Sequence, residues 1–288
     1  NDAPDVLTWG PYPFVHGDDA LILGSTTSQG VVTFQNSLDL SGGIRALRVN
    51  TNPDSGADWG RLTGSVVNGV LLKDGCGTLE LAPSADRGEF VDADLEILDG
   101  AVRLASDVAT AVEIDLNGGV VESSGTFDRI IDDEIEWLGD GGFAAYGGTL
   151  DVAIQGMPSN VFHMGAESAD GLPDGAGLRF GSTTANQTVN FTNPIQMNDH
   201  VLTVTVADNP DTDGDIAVIT GRLNGWTGSS DPANCGLVKK GTGTLWLRAS
   251  SDLNHIYHDD FADDNYYEGP TVIEGGALRA TCQPGRAD

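Results

Sequence analysis

Apolar residues fall at every second position along most of this chain. Leu79-Glu-Leu81, Leu95-Glu-Ile97, Val102-Arg-Leu104, Val112-Glu-Ile114, Val204-Thr-Val206 and Leu245-Trp-Leu247 all alternate in this way. A period of two sends successive side chains to opposite faces, which is the pattern of a strand with one buried side. Each stretch is four to six residues long and closes on Gly, Asn or Asp, as at Asn117-Gly-Gly119, Gly139-Asp-Gly-Gly142 and Gly275-Gly276. Such punctuation predicts tight turns between short strands. Helical periodicity is nearly absent, and its best candidate, Val108–Asp115, reads equally well as a strand. Short strands at this density predict a sandwich, a barrel or a solenoid.

An internal duplication favours the solenoid. Leu21-Ile-Leu-Gly-Ser-Thr-Thr27 returns as Leu178-Arg-Phe-Gly-Ser-Thr-Thr184, and eight of the sixteen positions from 21 to 36 are identical at an offset of 157. Gly60-Arg-Leu-Thr-Gly64 aligns with Gly221-Arg-Leu-Asn-Gly225, and Leu71–Leu81 with Leu237–Leu247. Repeats that keep their hydrophobic pattern while gaining residues at Gly- and Asp-rich joints are typical of stacked coils. We therefore expect an all-β parallel β-helix (β-solenoid), a single elongated domain over 1–288. Repeats 20–104 and 177–280 are joined in it by a β-rich segment, 105–176. Coils of about 20–25 residues would give about twelve to fourteen rungs and a rod of roughly 60 Å at the ~4.8 Å strand spacing. Two sandwiches, one per copy, are the alternative, but 105–176 carries no Pro/Ser-rich linker.

Composition narrows the function classes. Forty-three acidic residues face fourteen basic ones, a net charge of −29. Nucleic-acid binding needs clustered Lys and Arg and is excluded on that ground, and an anionic bilayer is disfavoured for the same reason. No apolar run is long enough to span a membrane as a helix, so no membrane insertion is expected. The acidic surface reads as a solvated coat on a long β-surface, with divalent-cation binding or adaptation to salt as other uses.

Asn1 in place of an initiator Met suggests a chain numbered from the cleavage point of a signal peptide, hence an extracellular or cell-surface location. In an oxidising compartment Cys235 and Cys282 are a candidate disulfide, leaving Cys76 free or available to a neighbouring chain. Three buried small hydrophobes are the plainer alternative.

Leu237-Val-Lys-Lys-Gly-Thr-Gly-Thr-Leu-Trp-Leu247, followed by Asn265-Tyr-Tyr-Glu-Gly-Pro-Thr-Val-Ile-Glu-Gly-Gly-Ala-Leu278, resembles the autotransporter-associated β-strand repeat, also called the passenger-associated transport repeat. The first copy carries the front half at Lys73–Leu81 and a faded second half around Leu95–Leu104. The resemblance implies an exported, right-handed β-solenoid at the cell surface, and it does not imply an enzyme. Two features depart from the family: an insertion at 248–264, and no C-terminal membrane barrel within these residues, which points to another export route or a longer protein.

Candidate chemistry is sparse. Asn209-x-Asp211-x-Asp213-Gly214 partly fits a calcium loop, so Asp211, Asp213 and Asp215 are candidate ligands for calcium as a possible cofactor. Thr220 stands where the closing Glu belongs, and a solvated corner is the competing reading. The insertion brings His255, Tyr257 and His258 close in sequence to Tyr266 and Tyr267, and reads as a contact loop more readily than as a transition-metal site. Trp246 alternates with Leu245 and Leu247, so it is expected on the outer face as a further contact. Parallel β-helices also host polysaccharide-degrading enzymes, but here Lys73, Lys239 and Lys240 are the only lysines and all belong to the repeat motif. No catalytic residue is assigned. The expected function is structural: a subunit of a filament or surface assembly, packed head to tail with copies of itself. The alternative is an adhesin or carbohydrate-binding rod touching cell-surface glycans.

Overall fold

The computed structural model describes residues 6–10, 15–16, 19–82, 90–104, 112–157, 160–165, 171–225, 235–248, 265 and 267–281. They form three sheets of eight, fourteen and four strands, and every pairing between strands is parallel. Among the described residues there is no α-helix, and none is long and apolar enough to cross a membrane. The ambiguous Val108–Asp115 contributes to a strand, Ile114–Leu116, with 105–111 outside the described residues.

The longest path runs through ten strands in chain order, from Val32–Phe34 and Gly60–Leu62 through Thr78–Leu81 and Ala101–Leu104 to Leu237–Lys240 and Thr271–Ile273. Along this path paired residues lie as close in sequence as Ala101 and Val120, and as far apart as Gly141 and Leu178. The layers are therefore less uniform and fewer than the expected dozen, because long corner loops consume the difference. Ten strands span about 43 Å at the usual parallel spacing.

In-register stacking builds columns. On the inner side Leu21, Leu47, Lys73, Ile97, Leu116 and Trp137 follow one another, and in the second copy Leu178, Val204, Lys239 and Ile273 do the same. Between the copies the core is aromatic: Trp137, Phe143, Phe162, Phe180 and Phe191 sit with ring centroids 5.0–6.5 Å apart. Offset and edge-on rings fill the join with large apolar volume.

Two findings refine the duplication. First, Gly60–Leu62 pairs with Val32–Phe34 as Ala217–Ile219 pairs with Val189–Phe191, so the offset of 157 holds through Thr63-Gly64 and Thr220-Gly221. The alignment of Gly60–Gly64 with Gly221–Gly225 is thus corrected. The contacts agree: Thr63 and Thr220 each donate to the carbonyl of the preceding Phe (3.0 and 2.9 Å), and a Cβ on Gly64 or Gly221 would meet the Asn36 or Asn193 carbonyl oxygen. Second, Leu178–Phe180 stacks on Gly141–Phe143, which belongs to the path of Val32–Phe34 rather than to the sheet of Leu21–Leu23. The second copy is therefore set one face round from the first.

Candidate functional site

The repeat motif is a corner built around a buried lysine. Lys73 and Lys239 are both fully buried. Lys73 Nζ donates to the carbonyls of Gly75 (2.7 Å) and Asp99 (2.8 Å), and Lys239 Nζ to those of Lys240, Gly241 and Gly275 (2.7, 2.9 and 3.1 Å). Gly75 and Gly241 take φ of 80° and 75°, a region that glycine enters freely, and this turns their carbonyls toward the lysine. The ammonium thus satisfies acceptors from two successive layers that would otherwise be buried unpaired. Burial draws Lys73 down to about 8, against the opposing charges of Asp99 and Asp74 and the neighbouring Cys76, and burial lowers Lys239 as well. The corner also restores the second half of the motif in the first copy. Ile97–Leu104 occupies the place of Ile273–Ala280, at an offset of 176 rather than 166.

The suspected calcium loop is a self-closing turn. Asp215 Oδ2 accepts the Asn209 N–H at 2.7 Å, Asn209 Oδ1 accepts the Asp211 N–H at 3.0 Å, and Asn209 Nδ2 donates to the Ala185 carbonyl at 2.7 Å. The first copy repeats each bond: Asp58 with Asn52 N–H (2.7 Å), Asn52 with Asp54 N–H (3.1 Å), and Asn52 with the Ser28 carbonyl (3.1 Å). Burial raises the Asp215 carboxyl, while the Asn209 N–H works the other way. Asp211 Oδ2 accepts the Gly56 N–H at 3.0 Å, so the two loops touch, and Asp213 is exposed. Among the described residues no three Asp, Glu, His or Cys side chains gather as a metal-holding group. In this arrangement Asp215 closes its own loop and Asp211 joins the two loops.

Where the copies meet, the outer face of the main sheet is covered. Arg103 and Glu122 stand in register on adjacent strands and form an ion pair, with Glu122 fully buried. Ser182 and Thr184 donate to Glu122 Oε2, the latter at 2.8 Å, and Thr184 Oγ1 lies 2.7 Å from Thr78 Oγ1. The Arg103 guanidinium sits 3.4 Å from the Tyr146 ring centre and 4.7 Å from that of Trp59. Ala185 joins Ala101, Val120 and Ala144 in a small apolar cluster separate from the main core. The arrangement binds the second copy to the first, and its ion pair is closed to solvent.

A carboxylate array on another outer face was not anticipated from sequence. Glu96, Asp115 and Glu136 stack in register, with Asp94, Glu113 and Glu134 two residues earlier. Burial, then Glu113, Glu136, Glu96 and Asp94, push Asp115 up to about 6, and burial with Asp94 and Glu136 raises Glu113. The signal was present as acid-x-acid at 94–96, 113–115 and 134–136; what was missing was the register that stacks them.

Of the proposed contacts, His255, Tyr257, His258 and Tyr266 lie outside the described residues. Tyr267 packs partly against the core, with its hydroxyl 2.7 Å from Thr271 Oγ1. Trp246 lies on the outer side between buried Leu245 and Leu247, donates Nε1–H to Thr281 Oγ1 at 2.8 Å, and lies 5.4 Å from the Arg248 guanidinium. Cys235 is a free buried thiol 3.7 Å from Asp199 Oδ1, its own acidity weakened by burial; Cys76 is free and exposed, and Cys282 lies outside the described residues. No family model, curated protein or solved structure matches this chain.

Proposed function

We propose that this chain is an exported, right-handed β-solenoid with a structural rather than catalytic role, which packs head to tail with copies of itself in an extracellular assembly. The observation that carries the reading is the pair of open edges. Among the described residues Leu21–Leu23 and Val32–Phe34 pair on one side only, as do Thr271–Ile273 and Ala277–Ala280 at the other end. Val32 is 39% exposed and Ile273 53%, although their column-mates inside the stack (Gly60 and Leu79, Lys239 and Val204) are covered. Unpaired strand edges carrying apolar side chains template further pairing. A contact between two different ends of one molecule does not close, and so generates a fibre. The buried-lysine corners support the same reading, since each serves to hold one layer on the next.

The test is light scattering and negative-stain microscopy on the purified chain across a concentration series. Mass that grows with concentration, with filaments on the grid, supports the reading. A constant monomer mass contradicts it.

A further inference from the structure

The tetrapeptide Gly-Ser-Thr-Thr occurs at 24–27 and at 181–184 in one conformation and two surroundings. Both glycines have φ of 76°. Thr27 N–H meets Ser25 Oγ at 3.3 Å, as Thr184 N–H meets Ser182 Oγ at 3.2 Å, and the next N–H returns to the serine carbonyl at 3.2 and 3.3 Å. In the second copy this corner is docked on the covered sheet face, with Thr184 and Ala185 each 1% exposed. In the first copy Ser25, Thr26 and Thr27 are exposed. The free corner is thus already shaped as the docked one is, so docking it costs little ordering.

The receiving face also has a second version. The docked corner sits over Thr78, which pairs with Ala101, and beside Arg103, which pairs with Glu80. In the second copy Thr244 pairs with Ala277 and Trp246 with Arg279, the same positions in the same register. Ala277 and Arg279 are exposed and Thr244 is partly so. The molecule therefore holds one engaged corner and face, one unengaged corner and one unengaged face.

We propose that the exposed corner Gly24–Ser28 docks on the Thr244, Ala277 and Arg279 face of a second copy of this chain, with Thr27 against Thr244 as Thr184 lies against Thr78. This rests on the self-association reading above and names its contact. The joint inside the molecule is the precedent for the partner: the chain already recognises this corner with this face. The two joints differ in strength. Among the described residues nothing at the second face stands in for Glu122, and Ser28 replaces Ala185, so the joint between molecules is the weaker and more polar one.

The experiment is intermolecular cross-linking of Thr27→Cys/Thr244→Cys in a Cys76→Ser/Cys282→Ser background, with each single cysteine variant alongside. Both threonines lie at the surface, and an unchanged circular dichroism melt verifies the fold. Disulfides form only between closely placed, correctly aimed cysteines. Mild oxidation is expected to give the double variant a reducible ladder of dimers, trimers and longer species, and the single variants none beyond dimers. Light scattering on the same samples separates the outcomes. Self-association without the ladder overturns this contact and leaves the assembly reading standing; a monomer at every concentration overturns both.

Discussion

Arg103 and Glu122 face each other across adjacent strands, one layer apart, and their ion pair is sealed from water by Ser182 and Thr184 of the second copy. A buried pair contributes little net stability over an apolar replacement, but breaking it strands a charge. Glu122→Gln is therefore expected to cost about 3–5 kcal/mol in denaturant unfolding, and the double change Arg103→Met/Glu122→Met distinctly less than Glu122→Gln alone. A double variant as damaged as the single one would show that the hydroxyl contacts, and not the charge pair, hold the joint.

The lysine corner predicts an alkaline signature. Lys73 is drawn down to about 8, whereas the unfolded chain keeps that proton to near 10.5. Between these values the unfolded state binds more protons, so this residue makes stability rise as pH increases through the window. Lys73→Met is expected to lose that rise and, by orphaning the carbonyls of Gly75 and Asp99, to lower stability by about 1–3 kcal/mol at pH 7. Unfolding midpoints measured from pH 7.5 to 10 on both proteins check the slope, and parallel curves would sink the assignment.

The carboxylate array predicts the opposite trend on the acid side. Asp115 is raised to about 6 from an ordinary value of 3.8, so the fold penalises its charged form. Stability from this group therefore grows as pH falls through 6 toward 4. Asp115→Asn removes the penalty, and the variant is expected to be more stable than the parent at pH 7, with the gap closing by about pH 4. A gap that stays constant over that range would contradict the stacked-carboxylate account.

Gly100 has φ of 65°, and a Cβ there would lie 2.4 Å from the Gly77 carbonyl oxygen and 2.6 Å from that of Gly75. The backbone region disfavours a side chain and the space does not admit one. Gly100→Ala is expected to cost more than the ~1 kcal/mol of an ordinary Gly→Ala change at positive φ, because it also pushes apart the Lys73 corner. Thermal denaturation of this variant beside Gly30→Ala, where a Cβ meets nothing within 4 Å, isolates the effect.

Much of this was legible in the residues. Alternation at Leu79-Glu-Leu81 and Leu245-Trp-Leu247 predicts buried and outward positions that the structure keeps, because a strand has no other way to present them. The Lys-x-Gly-x-Gly pattern marks the corner, although not that Lys73 and Lys239 point inward; their burial depends on carbonyls from the following layer. The match of Ile97–Leu104 to Ile273–Ala280 was obscured by residues inserted between 247 and 265, which shift the frame. Asx-turn closure and calcium coordination use the same side chains at the same spacing, so the sequence alone does not separate the two readings of Asp211, Asp213 and Asp215. The fate of Gly-Ser-Thr-Thr was not legible at all, since identical residues are covered in one copy and bare in the other. Only the three-dimensional register decides which.

Fibre diffraction from concentrated, purified chain tests the central claim most directly. Head-to-tail continuation of the stack predicts oriented fibres with a meridional reflection near 4.8 Å, the spacing of one layer on the next along the fibre axis. Soluble particles of constant monomer mass at every concentration, or fibres with that spacing across their axis, would contradict it.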